Sequence, residues 1–140
     1  MPLPHDYGSA AARHWEDAII LTQANRFDNA AYLAGYVVEC SLKSLIEISG
    51  TSPKAFQHEL ATLSGDALLL AYLMVPGLQR YRLPSSADFA AMSRDWTPEH
   101  RYCPSGQISG PTAQVWLQVA EQTYRALVVN LILDGQRYIP

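Results

Sequence analysis

The stretch FDNAAYLAGYVVECSLKSLIEIS, residues 27–49, constrains the fold more than any other part of this chain. At about 100° per residue, Ala30, Ala31, Leu33, Ala34, Val37, Val38, Leu42, Leu45 and Ile48 cover more than half of a helical circumference. A helix so broadly apolar must pack against two or more neighbours, which places it at the centre of a bundle. Ala30, Ala31, Ala34 and Gly35 are small enough to let another helix come close. The remaining strip holds Asp28, Asn29, Tyr32, Tyr36, Glu39, Lys43 and Glu47. Asp28 is placed to cap this helix, with Phe27 and Tyr32 at staple positions.

Periodicity places other helices around it. Ala11, Trp15, Ala18, Ile19 and Thr22 predict a first helix over 9–25, with Ser9 as its N-cap. GTSP at 50–53 is a stop. A third helix follows over 57–74 on Leu60, Leu63, Ala67, Leu70 and Met74, with Gly65 a candidate interruption. A short helix is expected over 86–93, and a last one over 111–133 with Pro111 opening it. Between them Pro76, Pro84, Pro98 and Pro104 predict irregular connections, and TPEH reads as one helical turn with Thr97 as cap. No segment alternates like a strand. The expected architecture is all-α, a four- to five-helix up-and-down bundle forming one domain over 1–140.

Composition narrows the partners. Charged residues are 16% of the chain, against about 25% in average soluble proteins, so part of the surface is expected to meet another subunit. A homodimer using the second or the last helix is the expectation. Net charge is −3 and only two of the ten basic residues are lysines, which argues against strong duplex DNA binding over the whole surface. Cys40 and Cys103 do not form a disulfide framework. The start has no apolar signal core, and ALVVNLIL at 126–133 is too short to cross a bilayer. No membrane association and a cytoplasmic location are expected.

Chemistry-bearing residues concentrate in SRDWTPEHRYCP, 93–104. Arg94, Asp95, His100, Arg101 and Tyr102 lie there, and Tyr81, Arg82, Trp96, Arg101 and Tyr102 make an aromatic–arginine set of the kind that suits single-stranded RNA. Trp96 is expected to roof the bundle. Glu39 and Lys43, four apart, are either an ordinary helix pair, stabilising by about 0.2–0.5 kcal/mol, or part of a groove with Asn29 and Tyr36. His58, beside Glu59, is expected to cap or pack at a helix start. His100 and Cys103 lack a second ligand pair, so no metal and no cofactor are expected.

NAAYLAGYVVECSLKSLIE with Glu39 and Lys43 in an E-x-x-L-K position, HEL at 58–60 and RYCP at 101–104 occur in an order that resembles the HEPN family, the higher eukaryote and prokaryote nucleotide-binding domains. The resemblance spans most of the chain. It implies a helical bundle that commonly dimerises, and an RNA-, nucleotide- or partner-binding module, often beside a nucleotidyltransferase in toxin–antitoxin or defence systems. Some relatives are metal-independent endoribonucleases with an Arg and a His four to six residues apart, which here would be Arg94 and His100. An imidazole can move the 2′-hydroxyl proton while a guanidinium stabilises phosphate charge. On one straight helix, however, such positions differ by roughly 240°, and Pro98 lies between them. A binding module, the ribonuclease and an oligomeric scaffold are the three functions carried forward.

Overall fold

The computed structural model describes residues 3–136 and contains helices and no strand among them. Helix α1 (Tyr7–Gln23) is capped by Asp6, whose carboxylate accepts the Ser9 N–H at 3.0 Å. The cap thus lies ahead of Ser9, because Asp6 supplies the same acceptor three residues earlier. Asn25 takes a left-handed conformation (φ 60°) and turns the chain into α2 (Phe27–Ile48). Tyr7 lies beside Lys43 and His14 beside Tyr36, so α1 and α2 form an antiparallel hairpin.

Helix α3 (Leu60–Ala67) runs straight through Gly65 and continues as a π-helical stretch, Leu68–Leu73. A 3-10 turn, Pro76–Arg80, follows, then α4 (Ala87–Asp95), capped by Ser86 through the Phe89 N–H. A second 3-10 turn, Pro98–Tyr102, has Thr97 as its cap and Pro98 in its first position. Helix α5 (Gly110–Tyr124) is capped by Ser109 and prolonged by a π-helical stretch, Arg125–Val129, and a last turn, Asn130–Leu133. The Phe27 ring lies against Gly110, and Cys40 packs with Val128, so α5 runs parallel to α2. Buried Tyr81 fastens the irregular 74–86 connection to the end of α5 by donating to Asp134 at 2.8 Å, and the Tyr72 hydroxyl donates to the Tyr81 carbonyl.

One expectation about α2 is corrected. Asp28 does not cap it; its carboxylate accepts the N–H groups of Gly106 (2.7 Å) and Ile108 (3.0 Å), anchoring the loop ahead of α5. The middle of the polar strip is enclosed: every residue from Val37 to Ile46 is buried, Glu39 and Lys43 included, while Asn29 and Glu47 toward its ends are exposed. Helical periodicity finds an apolar arc, but it cannot tell whether the opposite arc meets water or a neighbour carrying matching polar groups. Here α1, α5 and the 55–60 segment close around the helix. The small residues do admit a close neighbour. The Trp96 indole lies flat on Gly35 and donates its N–H to the Tyr32 carbonyl at 3.1 Å.

A methyl group at Gly35 would overlap that indole ring. Gly35→Ala is therefore expected to cost about 3 kcal/mol, at the upper end of ordinary overpacking, despite alanine's better helix propensity. Urea unfolding followed by circular dichroism checks this; a variant as stable as wild type would show that Trp96 is not held on α2.

Candidate functional site

Glu39 is the centre of the polar interior. Its residue is 4% exposed and that of Lys43 1%. Lys43 Nζ donates to Glu39 Oε2 at 3.1 Å and to the Ala55 carbonyl at 3.2 Å, and lies 5.6 Å from the centre of the Tyr7 ring. The other carboxylate oxygen, Oε1, lies 2.7 Å from His58 Nδ1. A carboxylate opposed by a lysine is ionised and can only accept, so Nδ1 carries the hydrogen and donates it. In the neutral ring, Nε2 then bears the lone pair. It has no hydrogen-bond partner among the described residues, and the His58 side chain is 34% exposed. His58 thus does not cap α3; a contact between residues 19 apart in sequence sets its orientation.

Tyr36 covers this group. Its ring meets Tyr32 and Trp96 edge to face at 5.2 and 5.1 Å, His58 at 6.1 Å and His14 at 5.8 Å. Burial, with a hydrogen bond to Tyr32, pushes the Tyr36 phenol well above its ordinary range and keeps it protonated. Burial also pushes the Cys40 thiol up to about 12, so it offers no thiolate nucleophile. Exposed Arg101 hydrogen-bonds the Tyr32 side chain, and its guanidinium lies 4.9 Å over the Tyr102 ring.

The chain from Trp96 to Tyr102 forms a ridge on this face. Trp96 and Thr97 are extended, which ends α4 before the 3-10 turn begins. Arg94, exposed in the last turn of α4, lines a cavity of about 470 Å³ with Phe56, Gln57, His58, Trp96 and Thr97. His100 lines another, of about 450 Å³, with Arg26, Asp28, Asn29 and Arg101. Both fall in the size range of small-ligand pockets. Within one chain, then, Arg94 and His100 open into different cavities, and Arg94 shares its cavity with His58.

His100 is occupied locally. Its Nδ1 accepts the Thr97 N–H at 3.2 Å as half of a capping box and lies 3.0 Å from the Thr97 carbonyl oxygen. Its ring packs edge to face on Trp116 at 5.8 Å. Of the other predicted site residues, Asn29 and Asp95 are exposed, Tyr36 is half-buried, and Tyr102 is 77% exposed. Glu39 and Lys43 line no groove; they are enclosed behind His58. No group of three His, Cys, Asp or Glu side chains is placed to hold a metal ion among the described residues.

Compared with protein-family profiles, curated proteins and solved structures, the chain matches none.

Two stability measurements test this geometry. Lys43→Met leaves a buried carboxylate without its main counter-charge and is expected to cost about 3–5 kcal/mol, whereas Glu39→Leu/Lys43→Met removes both charges and recovers most of that loss. Equal destabilisation of the two variants in urea titrations would contradict the buried pair. Asp28 is held below its ordinary carboxylate value of 3.8 by the Gly106 and Ile108 N–H groups. Its folded value lies below its unfolded one, so its stabilisation is complete above that range and disappears as pH falls through the folded value. Asp28→Ala is expected to be about 1 kcal/mol less stable than wild type at neutral pH, with the difference closing below pH 3.8.

Proposed function

We propose that this chain is a HEPN-like module that binds single-stranded RNA, or the phosphates of a nucleotide, on the 94–103 ridge. The observation that carries the reading is the pairing of open aromatic rings with guanidinium groups that form no carboxylate ion pair among the described residues. Neither Arg94 nor Arg101 has a carboxylate within ion-pair distance among the described residues, and they line different cavities. Phe56, 94% exposed, lines the Arg94 side, and Tyr102 stands beside Arg101. A guanidinium takes a phosphate through paired N–H donors, and an exposed ring takes the face of an unpaired base. The overall negative charge suits such a local grip better than attachment along a duplex.

The same reading includes a homodimer, a cytoplasmic setting, and a nucleotidyltransferase partner in a toxin–antitoxin or defence system. The middle of α2, residues 37–46, is buried within the chain. The exposed apolar residues Leu68, Leu69, Leu73 and Met74, on and just after the π-helical end of α3, suit a dimer face better.

Fluorescence anisotropy with a labelled single-stranded RNA of 12 nucleotides, beside a DNA duplex of equal length, tests the binding. Single-stranded RNA is expected to bind more tightly than the duplex. Arg94→Ala and Arg101→Ala should each weaken it about five- to tenfold and lower the salt dependence by about one phosphate contact. Tyr102→Ala should weaken it about fivefold or more. Absence of binding, or binding that all three variants leave unchanged, would overturn the reading.

A further inference from the structure

Resting on that reading of the ridge, we infer that His58, not His100, is the proton-transfer residue for cleavage of RNA bound beside Arg94, with Glu39 as its positioning residue. The inference stands on the shared cavity and on the way His58 is held. Three requirements for a general base meet at this ring. Its Nδ1–H is fixed at 2.7 Å by Glu39, which sets both tautomer and orientation. Glu39 is itself immobilised, by Lys43 at 3.1 Å in an enclosed interior. Nε2 has no hydrogen-bond partner among the described residues, on a side chain that lines the cavity containing Arg94. His100 differs in two of these: its Nδ1 is turned onto the Thr97 backbone rather than held by a carboxylate, and it lines a cavity without Arg94.

The step needs no co-reactant. His58 Nε2 takes the proton of a ribose 2′-hydroxyl, and the 2′-oxygen attacks the adjacent phosphorus. The bond from phosphorus to the 5′-oxygen of the next nucleotide breaks. The proton held by His58 passes to that departing oxygen, directly or through solvent, which restores the neutral ring. The products are a 2′,3′-cyclic phosphate and a free 5′-hydroxyl, with no change in oxidation state. Arg94 faces the phosphate, where its charge favours the more negative transition state. Trp96, buried against Gly35, forms part of the wall of the same cavity.

The test uses the full-length protein in EDTA with an oligodeoxynucleotide carrying one ribonucleotide, and with its all-deoxy counterpart. Wild type is expected to cut only the first, at the ribonucleotide, leaving a cyclic phosphate. His58→Gln should slow cutting about 100-fold or more while retaining binding and the wild-type melting curve; His58→Asn serves if that variant does not fold. Glu39→Gln/Lys43→Met, which keeps an acceptor for Nδ1–H in a neutral interior, should shift the acid limb of the rate–pH profile to lower pH, because imidazolium then lacks its carboxylate. A merely structural role for Glu39 would leave that limb in place, overturning its assignment. RNA binding by wild type with no cutting would overturn this inference and leave the binding reading standing; no binding would overturn both. Cutting that survives His58→Gln but is lost in His100→Ala would also overturn it.

Discussion

One buried carboxylate organises this protein. Glu39 sits on the most enclosed helix of the bundle, where an isolated charge would be too costly to keep. Lys43, one turn along, neutralises it, but a buried ammonium still needs further acceptors. The Ala55 carbonyl supplies one, which draws the 50–59 connection over α2. The same connection brings His58 to the second carboxylate oxygen. The start of α3, the closure of the polar arc of α2 and the orientation of His58 thus follow from satisfying one side chain. No buried side-chain nitrogen or oxygen among the described residues lacks a partner, as an interior built around charge requires.

The second constraint is steric. Gly35 lets the Trp96 indole lie directly on the α2 backbone, and its N–H reaches the Tyr32 carbonyl. The chain must leave α4 to place that ring, so the segment after it becomes a ridge rather than a continuing helix. Two cavities result, each lined by an exposed arginine and each with different neighbours. The chemistry open to each side is therefore set by a single packing contact between a glycine and a tryptophan.

Much of the framework is legible in the sequence, because it depends on short-range rules. Apolar spacing over 27–49 marks α2 as central, and helical periodicity places α1, α3 and α5 to within a few residues. Thr97 and Pro98 announce the 3-10 turn through cap chemistry and a fixed φ. Trp96 covers the bundle as its bulk suggests. Caps chosen between equivalent candidates are less legible. Asp6 displaces Ser9, and Asp28 serves a loop almost 80 residues away rather than its own helix.

What only the tertiary structure decided is which polar groups meet. Glu39 and Lys43 are visible as a pair from their spacing, but burial changes them from a surface pair into the support for His58. The joining of His58 to Glu39, and of Arg94 to the cavity of His58, depends on contacts between distant segments that no local pattern encodes. Arg94 and His100 are close in number yet line different cavities, because α4 ends where the Trp96 indole packs on Gly35. Sequence spacing sets what a helix can present; packing sets what each side chain faces.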